Sequence, residues 1–365
     1  MRGAAATALL GAGFVVAAGL LDAEPFYVPG VAFVVLGVAC AAWVAVAAQG
    51  VRVERTLAAR RVVEDQPLGA RLIVRAGVLP FPAGEAVEPL LDAPVPLPSG
   101  RQRFAFRVQA TFARRGRRAL APPRVVIRDP LGLAAREAVV GEPEDVLVLP
   151  RTEAVRAPGA GPEGARAGAR PLLAEAAETE IDGLRGYREG TPASRIHWPA
   201  LARRRGLLER RLQAEADTRP LVVLDARGTD DDLDRAVRAA ASLTLQLAAE
   251  GGCSVLLPGD RRPAELDPGL AGWPDVHARL ALVEATKLAP AVTASGSRSG
   301  PVVYVAARPL AAPPRGLERV PAGSVLVVPE EPAAAPGPAR FVVAGCHGYD
   351  IGVRRQASGV RRPAA

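Results

Sequence analysis

Lysine is almost absent from this 365-residue chain: Lys287 is the only one, and arginine supplies every other side-chain cation apart from histidine. The formal net charge of +8 would ordinarily indicate a nucleic acid or an anionic membrane surface as partner. However, the abundance of Arg, Ala, Gly and Pro is also what GC-rich codons produce. The charge by itself therefore does not establish an anionic partner.

Cysteine and histidine are scarce, with three residues of each type. The cysteines are Cys40, Cys253 and Cys346, and the histidines are His197, His277 and His347. No two cysteines form a Cys-x-x-Cys pair, and no two histidines have the i, i+4 spacing of a helical metal site. The sequence therefore signals neither a zinc site nor a disulfide framework, and it argues against a zinc hydrolase.

Two sequence motifs, one for phosphate binding and one for nucleophilic catalysis, are also missing. The chain has no Gly-x-x-x-x-Gly-Lys phosphate loop and no G-x-S-x-G nucleophile turn. Ser194 and His197 are the only local candidates for a nucleophile and a base. Pro192 and Pro199 flank them and disfavour the regular helix that would bring the two side chains together. We expect a protein that is not an enzyme and has no cofactor.

Two uncharged apolar runs, residues 4–21 and 28–48, are each about long enough to cross a bilayer as a helix. A cleaved signal peptide is the alternative for the first run, because its start is short and small residues lie near its end. A second run of full length follows at once. The simpler prediction is a membrane helical hairpin, with two transmembrane helices in residues 1–50.

The charges beside these runs predict their orientation. The joining loop carries only the acids Asp22 and Glu24, whereas arginines precede the first run and follow the second. These arginines are Arg2, Arg52, Arg55, Arg60 and Arg61. Because cytoplasmic flanks carry the excess of cations, we expect a two-pass protein of the inner (plasma) membrane with cytoplasmic soluble domains. The lack of a disulfide framework agrees with that compartment.

Residues 51–151 have the pattern of strands separated by Pro and Gly. Phe104, Phe106 and Val108 alternate with Ala105 and Arg107, which gives one apolar face and one mostly polar face. The stretches RLIVRAGV, RVVIRDP and DVLVLP have a similar character. Together they predict a β-sandwich domain over residues 51–151.

A different organisation follows. Residues 152–180 are rich in Ala, Gly and Pro without an apolar period, which predicts a linker or mobile loop. Beyond Pro220 the strand-like run LVVLDAR precedes a helical pattern with an acidic first turn, and CSVLLPGD, PVVYVAAR and SVLVVPEE continue the alternation. The alternation predicts an α/β doubly wound domain within residues 181–365.

Several spaced motifs accompany these elements. They are the turn Asp-Pro-Leu-Gly-Leu within RRGRRALAPPRVVIRDPLGL, the block LRGYREGTPASRIHW with ALARRRGLLERR, and the strand LVVLDAR. Together they resemble the membrane-anchored domain of unknown function 58 family, although the acid that the family has after Gly190 is Thr191 here. The resemblance runs from the hairpin to at least residue 250. It implies a von Willebrand factor A-like fold for the α/β domain. The signature residues are Arg185, Tyr187, Arg195, His197, Trp198 and Arg203.

Three interpretations of the arginine-rich block at residues 184–211 compete. In the first, Tyr187 and Trp198 pack inward while Arg185 and Arg195 bind carboxylates and loop carbonyls. In the second, the block is a docking surface, because Trp, Tyr and Arg dominate interface hot spots. In the third, its arginines bind an anionic polymer or a lipid headgroup. Acidic residues such as Glu209 dilute the positive charge and disfavour the third.

The resemblance implies two partners, a MoxR-type AAA+ ATPase and a transglutaminase-like membrane protein. We therefore expect a non-enzymatic, membrane-anchored adaptor or scaffold that presents a cytoplasmic interaction surface. The alternative function is binding of an anionic ligand at the membrane face, a lipid headgroup or nucleic acid, of which nucleic acid is disfavoured.

A degenerate metal site is expected at the end of the first strand of the α/β domain. Adhesion-type domains of this kind have Asp-x-Ser-x-Ser there, and the oxygens of the motif bind Mg²⁺. In this chain Asp225 and Thr229 keep two of the oxygen positions, but Arg227 occupies the third and would repel the ion. We expect no metal site, with Arg227 pairing with Asp225. The alternatives for the acids at 230–232 are that they supply other ligands or that they begin the next helix.

Overall fold

The structure is a computed structural model of the chain. It describes residues 2–81, 83–139, 141–158, 184–186, 208–210, 219–290, 300–310, 314, 320–321, 323–329 and 337–351. The chain forms two compact units, Met1–Leu149 and Pro150–Ala365. The first contains two apolar helices and a strand-rich part, and the second contains a mixed sheet with helices.

The two apolar helices are α1 (Arg2–Leu20) and α2 (Tyr27–Ala47), and a 3-10 turn at Glu24–Phe26 joins them. Both are long and apolar enough to cross a membrane. Their contact contains small side chains that recur at every seventh residue, a spacing that keeps them on one face of each helix. The buried residues in these two rows are Ala4, Gly11 and Ala18 on α1 and Gly30 and Gly37 on α2.

Glycine is required where the two helices meet. A Cβ atom on Gly11 would lie 2.6 Å from the carbonyl oxygen of Gly30, and one on Gly37 would lie 2.6 Å from the carbonyl oxygen of Ala4. Small residues allow such close packing of helix backbones in membranes. The prediction of two paired apolar helices is confirmed.

Helix α2 extends beyond the start of α1. Because Gly37 faces Ala4, the last two turns of α2, from Cys40 to Ala47, lie past the first turn of α1. These turns pack into the apolar core of the strand-rich part, where Cys40, Val44 and Ala47 are buried. The hairpin and the strands therefore share one core.

The strand-rich part contains ten strands in three sheets. The strands are β1 (Arg52–Leu57), β2 (Arg61–Val63), β3 (Leu68–Arg75), β4 (Gly84–Val87), β5 (Val95–Leu97), β6 (Arg103–Ala110), β7 (Gly116–Leu120), β8 (Arg124–Arg128), β9 (Ala135–Val139) and β10 (Glu144–Leu149). The sheet orders are β1-β3-β6, β2-β10-β7 and β5-β4-β8-β9, and all pairings are antiparallel except that of β2 with β10.

One face of the β1-β3-β6 sheet packs against both other sheets. Alternate residues of β3 are buried, as the period-two pattern predicts. Toward one end of β3, Val74 joins a cluster with Val125 and Ile127 of β8. Toward the other end, Leu72 joins a cluster with Val146 of β10. The result is a small β-sandwich with two adjoining cores.

A buried ion pair that the sequence patterns did not indicate connects these sheets. The Arg55 side chain on β1 is 3% exposed, and its Nη1 lies 3.0 Å from Glu88 Oε1. Its Nε lies 2.9 Å from Glu144 Oε2, and its Nη1 also donates to the carbonyl oxygen of Ala121. Burial raises the pKa of Glu88, although Arg55 acts in the opposite direction.

The second unit contains the following elements. Its strands are β11 (Leu184–Gly186), β12 (Leu208–Arg210), β13 (Leu221–Asp225), β14 (Cys253–Leu256), β15 (Ala264–Leu266), β16 (Val302–Ala306), β17 (Val325–Val328), β18 (Phe341–Val343) and β19 (Cys346–Asp350). Its described helices are α3 (Asp230–Gly251) and α4 (Trp273–Ala281).

Seven of these strands form one mixed sheet in the order β15-β14-β13-β16-β17-β19-β18. The four strands β14, β13, β16 and β17 are parallel to their neighbours in this group, and the outer strands are antiparallel. Strand β13 is buried along its whole length, as expected for the run LVVLD. The helices α3 and α4 both contribute to the apolar cluster on one face of this sheet.

The chain enters the second unit through Pro150, at the end of the predicted sandwich. The carbonyl oxygen of Pro150 lies 2.7 Å from Nε2 of His277 on α4. The N–H of Glu153 donates to Ser242 Oγ on α3, and Arg156 pairs with Val342 on β18. The first residues of the predicted linker are thus hydrogen-bonded to the α/β unit, and residues 159–180 lie outside the described part of the chain.

Candidate functional site

The candidate site is the carboxyl end of β13, where Asp225 ends the strand with its carboxyl group fully buried. Strand β14 lies on one side of β13 and β16 on the other, so the chain order reverses at this strand. In open α/β sheets, ligands bind beyond the carboxyl ends of the strands at such a reversal. Asp225 therefore stands where a ligand of this fold class would be held.

The side chain of Arg227 lies against the Asp225 carboxylate at the end of β13. Its Nε donates to Asp225 Oδ1 at 2.8 Å, and its Nη2 donates to Oδ2 at 2.7 Å. The backbone N–H of Arg227 also donates to Oδ1, at 3.2 Å. On the neighbouring strand β16, the Tyr304 hydroxyl donates to Oδ2 at 2.8 Å. Each carboxylate oxygen thus accepts two hydrogen bonds, and the charge is balanced within the cluster.

The ionisation of the cluster follows from these contacts. Burial acts to raise the pKa of Asp225, but hydrogen bonds from Arg227 and Tyr304 outweigh it and leave the pKa below its usual value. The hydrogen bond to Asp225 raises the pKa of Arg227 further. Burial raises the pKa of Tyr304, with Asp225 adding to the effect. The cluster therefore consists of a carboxylate, a guanidinium and a neutral phenol at neutral pH.

The loop after Asp225 is held close to the end of β16. A Cβ atom on Gly228 would lie 1.6 Å from the carbonyl oxygen of Ala307, so only glycine fits there. The N–H of Ala307 in turn donates to the carbonyl oxygen of Asp225 at 2.9 Å. These two contacts fix the loop that carries Arg227.

Thr229 and the acidic run after it begin helix α3. Thr229 is the N-cap residue, and its Oγ1 accepts from the N–H of Asp232. It also donates to Asp232 Oδ2 at 2.8 Å, and the other oxygen of Asp232 pairs with Arg235. The acids at 230–232 occupy the first turn, where carboxylates interact favourably with the helix dipole. The helix-start interpretation of this run is confirmed.

The arrangement has a clear chemical consequence for metal binding. The oxygens of Asp225 are engaged by Arg227 and Tyr304, and the hydroxyl of Thr229 is engaged by Asp232. Within the described residues, no group of three or more His, Cys, Asp or Glu side chains could hold a metal ion. A divalent ion at Asp225 would first have to displace the guanidinium.

A shallow cavity of about 500 Å³ lies beside the carboxyl end of β14. Its lining includes Leu257, Leu282 and Leu288. Of these, Leu282 and Leu288 are exposed large apolar side chains, and Leu288 is 77% exposed. The lining also includes Arg279, which pairs with Asp260. This edge of the sheet therefore offers an apolar surface next to the closed Asp225 cluster.

Most of the signature residues lie outside the described part of the chain. Arg185 is in β11, directly opposite Glu209 in β12. The other signature residues are Tyr187, Arg195, His197, Trp198 and Arg203, and all five fall outside the described residues, as does Ser194. The three interpretations of the block stay open.

The Asp-Pro-Leu-Gly-Leu turn, Asp129–Leu133, follows β8 and contacts the hairpin. Asp129 Oδ1 accepts from the N–H of Leu131 at 2.9 Å, and Oδ2 accepts from the N–H of Ala134. Burial acts to raise the pKa of Asp129, but these N–H groups stabilise the carboxylate and leave the pKa below its usual value. The Leu133 carbonyl oxygen accepts from the N–H of Ala4 on α1 at 2.6 Å.

The sequence patterns above did not identify two residues of these clusters, Tyr304 and Arg55. Tyr304 gave a usable signal, because a lone Tyr in the aliphatic run PVVYVAAR must place its hydroxyl next to a buried partner. Arg55 also gave a signal, because it alternates with Val53 and Leu57 and so falls on the less exposed face of β1. Glu88, which follows β4, and Glu144, at the start of β10, make its burial tolerable.

Comparisons with known proteins do not assign the chain to a family. No protein-family model matches it, and no curated protein matches it. Among solved structures, it is similar to the CARDB domain of a Pyrococcus furiosus protein, solved in complex with di-metal ions. That similarity has 15% sequence identity and a TM-score of 0.18, and it covers 27% of this chain and 87% of the other. So low a TM-score carries no argument about fold or metal binding here.

Proposed function

We propose that this protein is a non-enzymatic, membrane-anchored adaptor of the domain of unknown function 58 family. One observation carries the proposal: the sheet edge where an α/β domain would hold a ligand is closed by the Arg227–Asp225 pair, while exposed leucines lie beside it. An edge of this kind favours contact with another protein over binding of a small molecule or ion.

The α/β unit is proposed to be von Willebrand factor A-like. Its support is the strand order with β13 at the reversal, the Asp that ends this strand, and the short loop to an N-capped helix. Arg227 stands where adhesion-type domains have a metal-binding hydroxyl. Contacts with a partner would then not depend on a shared metal ion.

The hairpin is proposed to cross the inner (plasma) membrane twice, with both soluble units in the cytoplasm. Of the cations that flank the spans, Arg55 is buried and paired, so it contributes little to orientation. Arg2, Arg52, Arg60 and Arg61 are exposed, and the loop at the other end has only acids. The excess of exposed cations still lies on the side of the soluble units.

The proposed partner is a MoxR-type AAA+ ATPase, with a transglutaminase-like membrane protein as a second one. Both come from the family resemblance. The contact surface would include the apolar edge at Leu288. The arginine-rich block around Trp198 is proposed as a contact segment from its sequence alone, because it contains the aromatic and arginine residue types that are common in interface hot spots.

The second candidate function is binding of an anionic ligand. At least eleven arginines in the described residues already pair with carboxylates, which lowers the free positive charge. Phosphate contacts through the remaining arginines would weaken steeply as salt is raised, whereas docking through apolar and aromatic anchors would not.

Affinity purification of the full chain from membranes in mild detergent tests the proposal. We expect an AAA+ ATPase to co-purify at low and moderate salt, and Leu288→Asp or Trp198→Ala to reduce its recovery. Val139→Asp is the control, because Val139 is an equally simple exposed apolar site in the other unit. Recovery of lipid or nucleic acid alone, lost as salt rises, would favour the second candidate. Protease digestion of intact spheroplasts should leave the soluble units uncut.

A further inference from the structure

The Asp129–Leu133 turn, called the DPLGL turn below, is attached to both helices of the hairpin. The Leu133 carbonyl oxygen accepts from the N–H of Ala4 in the first turn of α1. A Cβ atom on Gly3 would lie 2.6 Å from the same oxygen. On the other helix, Cys40 belongs to the same apolar cluster as Leu133 and Ala134. The position of the turn relative to the hairpin is therefore fixed.

With the hairpin in the membrane as proposed above, these contacts place the DPLGL turn at the level where the hairpin enters the bilayer. From Ala4 to Leu20, α1 rises by about 24 Å, close to the roughly 30 Å thickness of the hydrocarbon core. Ala4 thus lies near one boundary of that core. Trp43, which is 49% exposed, lies about 9 Å farther along α2 than Gly37, the residue that faces Ala4. Trp is enriched at that depth, in the headgroup layer.

The tip of the turn is apolar and exposed. Leu131 is 61% exposed, and Pro130 and Gly132 beside it are exposed as well. A single exposed leucine is common on protein surfaces and does not by itself indicate a partner. It is favourable where the tip touches lipid, because burial of an apolar side chain stabilises the contact.

Several backbone N–H groups of the turn already have hydrogen-bond partners. Asp129 accepts the N–H groups of Leu131 and Ala134 with its carboxylate, and its carbonyl oxygen accepts the N–H of Gly132 at 3.0 Å. Pro130 has no N–H to satisfy. Backbone donors that already have partners can approach hydrocarbon at low cost, whereas free ones cannot.

We propose that the DPLGL turn is a membrane-contact element: Leu131 inserts into the headgroup and upper acyl region of the cytoplasmic leaflet beside the hairpin. This proposal depends on the membrane anchoring proposed above. In this proposal the turn holds the sandwich at a fixed tilt against the bilayer, which anchoring by the hairpin alone would not do. The partner in this proposal is lipid, because the turn adjoins the hairpin that is proposed to span the membrane.

A depth measurement on the full chain tests the proposal. An environment-sensitive fluorophore is attached to Leu131→Cys or, as a matched control, to Val139→Cys. Both positions are 61% exposed, and Val139 is carried by β9 about 13 Å from the start of that strand. The three native cysteines are buried, and the unsubstituted chain reports their background labelling. The labelled chains are reconstituted into phosphatidylcholine and phosphatidylglycerol vesicles that contain shallow spin-labelled lipid.

We expect blue-shifted emission and several-fold stronger quenching by the spin-labelled lipid at position 131 than at 139. Equal quenching at the two positions would overturn the proposal. Shielding of position 131 from a water-soluble quencher without quenching by the lipid would also overturn it, since a protein would then cover the turn. Resistance of the same chains to carbonate extraction reports anchoring separately. An extractable chain would contradict the membrane anchor itself and remove the basis of both proposals.

Discussion

Arg227 binds Asp225 through two parallel hydrogen bonds, from Nε to Oδ1 at 2.8 Å and from Nη2 to Oδ2 at 2.7 Å. The two residues are only two positions apart, and the loop that brings them together depends on the close approach of Gly228 to Ala307. The pairing suggested by the sequence is therefore present. It makes the carboxyl end of β13 a neutral, closed cluster.

The first prediction concerns Mg²⁺. We expect calorimetric titration of the full chain to show no submillimolar binding of Mg²⁺ or Mn²⁺ at Asp225, because the guanidinium competes for both carboxylate oxygens. Arg227→Ser should create measurable binding, since it removes the cation and supplies a hydroxyl ligand. The double variant Arg227→Ser, Asp225→Ala is the control and should lose that binding. Submillimolar binding by the wild type that vanishes in Asp225→Ala would contradict the prediction.

The second prediction concerns the stability of the cluster. Arg227→Met should lower the free energy of unfolding by about 3–5 kcal/mol, the usual cost of leaving a buried carboxylate without its ionic partner. The paired variant Arg227→Met, Asp225→Asn should recover part of the loss, because no buried charge is left. Chemical denaturation of each variant measures these differences. A single variant that unfolds with the wild type would show that Asp225 does not need Arg227.

The same cluster predicts how stability responds to acid. The folded-state pKa of Asp225 is lowered, so its contribution is present above the unfolded value of about 3.9. That contribution is lost as pH falls from there through the folded-state pKa. Asp225→Asn should therefore show a smaller loss of stability than the wild type over this acid range.

A third prediction concerns His277, which packs on Trp273 with ring centroids 4.6 Å apart. Burial lowers the pKa of His277, and its hydrogen bond with Pro150 offsets only part of this effect. As pH falls below the unfolded value of about 6.5, the unfolded chain takes up a proton first. The free energy of unfolding should therefore be highest above this pH and decrease below it. His277→Gln should flatten that decrease in denaturation curves, and an unchanged slope would assign it to another group.

A fourth prediction tests the packing of the hairpin. Gly11→Ala should lower the unfolding temperature in detergent micelles, because the new Cβ would meet the Gly30 carbonyl oxygen. Gly13→Ala on the same helix is the matched control, since nothing lies within 4 Å of a Cβ there. The control should be neutral or slightly stabilising, as Ala favours helix over Gly by up to about 1 kcal/mol. Equal effects of the two substitutions would argue against the close glycine contact.

The sequence by itself determined the two apolar helices, several of the strands and the start of helix α3. Apolar run length gave the two helices, and the alternation from Phe104 to Val108 gave a strand, since each pattern reflects which side of an element faces the core. The acidic run at 230–232 marked the start of α3 for a local reason, its interaction with the helix N-terminus. The link between Arg227 and Asp225 was also readable, because it spans two residues.

Only the tertiary structure decided which distant residues meet. Tyr304 reaches Asp225 because β16 lies beside β13, a neighbour relation that no local pattern encodes. Likewise, Arg55 is buried beside Glu88, which follows β4, and Glu144, which begins β10. The contact of the DPLGL turn with Ala4 and Cys40 required the end of α2 to enter the sandwich core. Local patterns record the environment of one element at a time, whereas these contacts depend on the packing of several elements together.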